Sequence, residues 1–149
     1  MGIKIITKNK RASYDYTLLQ QFEAGLSLVG TEVKSLRQGH CKLAEAYCTI
    51  DQKDEAWIYN MSISPYDFGN INNHQETRKR KLLLHKEEIL KIEKELALKG
   101  ATLIPTKIYF KGSKVKIEIA IGKGKKLFDK RESQKEKDVQ KKLRQANYE

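Results

Sequence analysis

A strict two-residue alternation in the last third of the chain leaves it the fewest options. Val115, Ile117, Ile119 and Ile121 alternate with Lys116, Glu118 and Ala120. A period of two marks a β-strand with one face in a core and the other outside it. A helix would split these four β-branched residues between two opposite faces. Residues 102–110 have the same character, and Lys111-Gly112-Ser113 between the two runs reads as a three-residue hairpin connection. Pro105 lacks the N–H that a ladder requires, so its strand is expected at an edge or bulged at that point.

Weaker signals place the remaining elements. Tyr14, Tyr16, Leu18 and Phe22 alternate with polar neighbours over residues 14–24, predicting a half-buried strand; Glu23-Ala24-Gly25 reads as a bend or bulge before a second strand at 26–29. Residues 47–51 and 55–61 form a hairpin around Gln52-Lys53-Asp54, with Trp57 and Tyr59 sharing a core face. Between Gly30 and Gly39 the spacing predicts a short helix. Thr31 is its expected N-cap, Glu32 an acid in its first turn, Val33 with Leu36 its apolar face, and Lys34 with Arg37 a cationic face free to meet a partner. Residues 86–99 form the clearest helix, with Ile89, Ile92 and Leu96 at helical spacing, Glu87–Lys91 and Glu95–Lys99 as i to i+4 pairs, and Gly100 to stop it. Lys8-Asn9-Lys10-Arg11 reads as an extended basic arm. Residues 64–75 read as an exposed loop running into Thr77-Arg78-Lys79-Arg80-Lys81, four consecutive cations that need solvent or an anion, and Leu82-Leu83-Leu84 then returns to the core. The economical arrangement is mainly β: a small closed antiparallel barrel of OB type with a few short helices.

The composition changes at residue 123. Residues 1–122 are expected to form the barrel domain, whereas 123–149 carry ten Lys or Arg and five Asp or Glu, with Leu127, Phe128, Val139 and Leu143 as their only large aliphatic or phenyl side chains. So little apolar surface does not offset backbone ordering at about 1–2 kcal/mol per residue, and the tail is expected to be disordered when free. Ser133 and Glu136 nevertheless match a capping box, and Val139 with Leu143 share a face, so a helix is encoded for a surface that can support it.

Charge narrows the function. There are 30 Lys plus Arg against 19 Asp plus Glu, a net charge of +11, which points to a polyanionic partner. No run approaches 18 apolar residues and the N-terminus lacks a signal-peptide core, so a membrane is not expected as partner and the cytoplasm is the expected location. Cys41 and Cys48 are too far apart for a zinc knuckle, and His40, His74 and His85 add no ligand spacing, so neither metal nor cofactor is expected. A phosphate-binding glycine loop, a nucleophile elbow and a His-Glu-x-x-His motif are all missing, and an enzyme is not expected. The residue types favour an RNA-binding module instead: cations for phosphates, and Tyr14, Tyr16, Tyr66 or Phe68 to stack on bases.

Several runs then carry a family resemblance across nearly the whole chain: Asn9-Lys10-Arg11-Ala12, Glu23-Ala24-Gly25, Gly30-Thr31-Glu32-Val33-Lys34-Ser35-Leu36-Arg37, Ile63-Ser64-Pro65-Tyr66, Arg78-Lys79-Arg80-Lys81-Leu82-Leu83-Leu84-His85, and Gly122-Lys123-Gly124-Lys125-Lys126 through Asp129-Lys130-Arg131-Glu132. In this order they resemble the small protein B (SmpB) family, the tmRNA-binding proteins of bacterial trans-translation. The resemblance implies an OB-type barrel, the tRNA-like domain of tmRNA as ligand, a tail that enters the decoding centre and mRNA channel of a stalled ribosome, and no catalysis by the protein itself. A monomer is expected. By the same resemblance RNA-binding positions fall on Asn9, Glu23, Leu82 and Gly124. The cations Lys10, Arg11, Lys34, Arg37, Arg78, Lys79, Arg80, Lys81, Lys125 and Lys126 supply phosphate contacts, and Phe128, Asp129, Lys130 and Arg131 face the decoding centre. Tyr14 stands where many relatives carry histidine, and Phe128 where some carry histidine or tyrosine. A general RNA-binding or ribosome-associated OB protein is the alternative.

Overall fold

The computed structural model describes residues 2–66, 73–98 and 100–124. Its elements are β1 (Ile3–Lys8), α1 (Lys10–Asp15), β2 (Tyr16–Leu26), α2 (Gly30–Arg37), β3 (Cys41–Lys42), β4 (Tyr47–Ile50), β5 (Ala56–Tyr59), β6 (Ser62–Ile63), β7 (Arg80–Leu83), α3 (Lys86–Leu96), β8 (Ala101–Lys111) and β9 (Lys114–Gly124). The described chain is mainly β, antiparallel throughout, with a few short helices. Seven strands follow the order β1-β8-β4-β5-β7-β2-β9, and β8 also pairs with β9, so the pairings from β8 through β4, β5, β7, β2 and β9 lead back to β8. β3 and β6 make a separate two-stranded sheet.

The alternation in β9 is realised for its isoleucines, although Ala120 on the other face is buried as well. Ile117, Ile119 and Ile121 are fully buried and meet Ile58, Leu103, Ile108 and Ile92 in one core. The hairpin before β9 turns on two residues rather than three, because Lys111 pairs with Lys114. Gly112 adopts φ +63° there, a left-handed conformation that glycine takes without steric cost. β8 is an interior strand, and the register slips between Pro105 and Lys107, so the proline sits at a bulge. Asn9 fills the carbonyls that the bulge frees: its N–H donates to Thr106 O at 2.7 Å and its Nδ2 to Pro105 O at 2.9 Å.

Several local expectations are corrected. Residues 8–11 are not an extended arm; β1 pairs with β8, and α1 follows with Ala12 buried beneath it. β2 begins at Tyr16, its irregularity falls between Leu18 and Gln20, and Glu23-Ala24-Gly25 stays in register with β9, so no separate strand occupies 26–29. The N-cap of α2 is Val29, whose N–H donates to Glu32 Oε1 at 2.9 Å, while the Thr31 hydroxyl bonds His74 Nδ1 at 2.9 Å. His74 Nε2 donates to Ile63 O at 2.8 Å, tying α2 to β6. β4 and β5 form the expected hairpin, but Ala56 and Ile58 point inward; Trp57 and Tyr59 lie on the outer face, Trp57 donating to Asp51 Oδ2 at 2.9 Å and Tyr59 stacking on Tyr47 at 5.4 Å. α3 buries Ile89 and Ile92 as expected and ends at Leu96. Lys99 lies outside the described residues, as do residues 125–149 with the tail helix expected there.

The run of cations at 78–81 does not form a solvated loop. In β7 the strand period turns Arg80 and Leu82 inward, both essentially without exposure. Arg80 Nε donates to Glu32 Oε2, itself fully buried on α2. Arg80 Nη1 donates to Met61 O at 2.6 Å and Nη2 to Glu76 O at 3.0 Å, so every nitrogen of the guanidinium has a partner. Arg78 joins from the surface, with Nη2 2.5 Å from Glu32 Oε1. Burial works to raise the Glu32 carboxyl, but hydrogen bonds from Arg78, the Val29 N–H and Arg80 together outweigh it and hold the group below the ordinary glutamate range.

Glu32→Gln leaves one buried guanidinium without its counterion, and urea unfolding at neutral pH is expected to show a loss of about 3–5 kcal/mol. Because the folded carboxyl titrates below its unfolded counterpart, its contribution is complete above the ordinary glutamate value of about 4.3 and is lost as pH falls through the folded value. The stability gap between wild type and variant should therefore narrow in acid; a gap that is constant from pH 7 to pH 3 would contradict this role.

Candidate nucleic-acid interface

The core alternation that turns Ile117, Ile119 and Ile121 inward turns Lys116 and Glu118 outward, and β2 places Glu23 directly opposite Glu118. On β8 the bulge resets the parity, so that Lys107 and Tyr109 join this outer face. Tyr109 Oη donates to Glu23 Oε2 at 2.5 Å, and Lys111 Nζ lies 3.3 Å from Oε1. These partners, Tyr109 foremost, hold the Glu23 carboxyl below its ordinary range, while burial and the facing carboxylate push the Tyr109 phenol up. Glu23 is thus an oriented anion, and it remains 39% exposed.

The start of α1 closes one side of this face. Lys8, Asn9, Lys10, Gln21, Lys107 and Glu118 line an open groove of about 430 Å3 between α1 and the sheet. Lys10 is exposed at its rim; Arg11, 62% exposed, makes long ion pairs to Asp15 at 3.6 Å and Glu45 at 3.5 Å that water screens. Among the described residues, with Lys114 and Lys123, the α1, β8 and β9 side carries most of the unbalanced positive charge. α3 and the β4–β5 turn mix acids with bases instead, as in Lys86, Glu87, Glu88, Lys91, Glu93 and Lys94.

The other sequence-derived positions separate by depth. Lys34 and Arg37 project from the exposed side of α2, with Lys34 Nζ 5.6 Å from the centre of the Tyr66 ring. Of the basic run, Lys79 is exposed and lies 4.6 Å over Trp57, Lys81 is partly paired with Glu55 at 3.8 Å, Arg78 is one-third exposed, and Arg80 has no surface at all. Leu82 is a core residue; its neighbour Leu83 is 53% exposed and lies against β2, where a Cβ on Gly25 would approach Leu83 Cβ to 3.2 Å. Leu83, Lys107, Tyr109 and Lys116 were missed from the sequence, although the strand period that buries Leu82 exposes Leu83. Gly124 ends β9 opposite Tyr16, and a Cβ there would meet nothing within 4 Å. Tyr14, Tyr16 and Tyr66 are half-buried. Phe68, Lys125, Lys126, Phe128, Asp129, Lys130 and Arg131 lie outside the described residues.

Among the described residues no group of three or more His, Cys, Asp or Glu is arranged to hold a metal ion, and no helix is long and apolar enough to cross a membrane. Burial pushes the Cys41 thiol up to about 12 and the Cys48 thiol higher still, which disfavours the thiolate at both.

Comparison with known proteins agrees across the chain. The family model described as SmpB protein matches residues 6–149. The SsrA-binding protein of Fervidobacterium nodosum is 51% identical over 144 residues, 96% of this chain and 96% of that protein. That of Syntrophotalea carbinolica is 49% identical over 146 residues, 98% of this chain and 97% of its own. A solved chain described as "tmRNA-SmpB: a journey to the center of the bacterial ribosome" aligns with a TM-score of 0.69 at 40% identity, covering 81% of this chain and 85% of that one. With the match running from β1 to the last residue, this chain belongs to the SmpB family.

Proposed function

We propose that this protein binds the tRNA-like domain of tmRNA and delivers it to stalled ribosomes for trans-translation. The names of its relatives support the ligand, and the unbalanced cations around α1, β8 and β9 supply the chemistry. The observation that carries the reading is the oriented Glu23 carboxylate, set by Tyr109 and Lys111 within a cationic face. A carboxylate repels phosphate but accepts from base amino groups and ribose hydroxyls, so this face is suited to a folded RNA with base edges and sugars on display rather than to any polyanion. Around it Asn9, Lys10, Arg11, Lys34, Arg37, Lys79, Lys81 and Gly124 form or flank the contact surface. Arg80, Leu82 and most of Arg78 support it from beneath.

In this reading the circuit of strand pairings is an OB-type closed barrel, residues 1–122 capture the RNA, and residues 123–149 with Lys125, Lys126, Phe128, Asp129, Lys130 and Arg131 serve the ribosome. β9 runs two residues past that boundary, which supports counting Gly124 with the capturing half. The protein acts as a cytoplasmic monomer, and peptidyl transfer remains the ribosome's chemistry.

A gel shift comparing the tRNA-like domain of tmRNA with an unstructured RNA of equal length, at two salt concentrations, tests the ligand. Strong preference for the tRNA-like fold is expected; equal affinity would favour a general RNA-binding protein. Replacing Lys10 and Lys116 with alanine should lower the slope of log affinity against log salt by up to about 0.9 for each phosphate that a lysine neutralises, and an unchanged slope would remove those lysines from the interface.

A chain ending at Gly124 should keep most of its affinity for the tRNA-like domain. Alanine at Asp129, Lys130 and Arg131 together should leave binding nearly intact yet abolish peptide tagging on ribosomes programmed with message lacking a stop codon. Loss of binding in both variants would make the tail an RNA-capture element.

A further inference from the structure

The RNA-facing surface holds a second carboxylate that stability alone does not explain. Glu118 stands directly across from Glu23 on paired strands, an arrangement in which like charges oppose one another unfavourably. Unlike Glu23, it is only half-satisfied. The Thr106 hydroxyl lies 2.5 Å from Oε2, fixing the carboxylate at the Pro105 bulge, but the nearest cation to Oε1 is Lys107 Nζ at 4.0 Å, beyond hydrogen-bond length. Glu118 lines the groove between α1 and the sheet, and so does Asn9, whose buried Oδ1 has no hydrogen-bond partner among the described residues. An oriented carboxylate therefore sits in a groove rimmed by Lys8, Lys10 and Lys107. A phosphate would be repelled from the centre and attracted to the rim, so the centre suits a base and the rim its backbone.

We propose that Glu118 is a base-reading residue and that this groove takes an unpaired RNA guanine, whose Watson–Crick edge donates to the Glu118 carboxylate. Guanine presents N1–H beside the N2 amino group, adjacent donors that a single carboxylate can accept together. Adenine and cytosine each offer an amino group beside a ring nitrogen that is an acceptor and would face the anion. Uracil offers one N–H between two carbonyls. The order of preference is guanine first and uracil last. Thr106 is the positioning residue: its hydroxyl sets the carboxylate but does not touch the base.

This inference rests on the RNA-binding reading above, and its test separates the two. Fluorescence anisotropy of the full-length protein is measured with labelled heptamers of uridine carrying a central guanosine, adenosine, cytidine or uridine, and in parallel with the tRNA-like domain of tmRNA. The guanosine heptamer should bind about tenfold more tightly than heptauridine. E118Q should bring the two within about twofold, with any gain from the lost negative charge shared by both heptamers, because an amide must present a donor where the carboxylate presents only acceptors. Thr106→Val, which keeps the charge and the core, should reduce the preference by loosening the carboxylate, and it decides the matter if E118Q fails to fold. Equal binding of the four heptamers by the wild type, a guanine preference that survives in E118Q, or an undiminished one in Thr106→Val when that is the only folded variant, would overturn the proposal. Failure of the wild type to prefer the tRNA-like domain over unstructured RNA would sink the tmRNA reading without deciding the guanine preference.

Discussion

The buried ion pair between Glu32 and Arg80 is the interaction on which the rest of the fold hangs. It joins α2 to β7 across 48 residues of sequence, and the same guanidinium holds the carbonyls of Met61 and Glu76, so four separate segments meet at one charge. Apolar residues of similar volume would often do as well energetically, because desolvating two ions costs several kcal/mol. A guanidinium with each nitrogen satisfied instead fixes one geometry, and a displaced α2 or β7 would strand a buried charge.

That geometry also sorts the cations. Once Arg80 faces inward, the period of β7 places Lys79, Lys81 and Leu83 outside, and α2 is held with Lys34 and Arg37 on its free side. On the neighbouring strands the inward isoleucines of β9 leave Lys116 and Glu118 outside, beside Glu23 and Tyr109. The resulting surface is cationic at its edges and holds carboxylates near its centre. Lysines alone would give affinity for any RNA; acceptors that exclude phosphate add a demand for base edges and riboses in set positions.

Much of this was legible in the sequence where burial follows a simple period. The isoleucines of β9, the β4–β5 hairpin and the apolar stripe of α3 announced themselves, because each buries one face against a single core. Arg80 did not, since its reason for being inside is a carboxylate 48 residues away. Trp57 was misplaced because strand period gives two alternating sets and composition favours the aromatic one, whereas the small Ala56 and Ile58 face the core. α1 has one buried residue, Ala12, too little to leave a helical pattern. At the site, the family runs pointed to Asn9, Glu23 and the basic segments, but Tyr109 and Lys107 lie beyond a bulge that resets the parity of β8, and no sequence period carries across it.

The most direct test of this sorting is lysine acetylation of the full-length protein, read residue by residue with and without the tRNA-like domain of tmRNA. Lys8, Lys10, Lys107 and Lys116 should lose reactivity when the RNA is bound, while Lys53 on the β4–β5 turn and Lys91 and Lys94 on α3 should react as before. Protection of Lys91 and Lys94, with Lys107 and Lys116 still reactive, would put the RNA on α3 instead of this face and contradict the account.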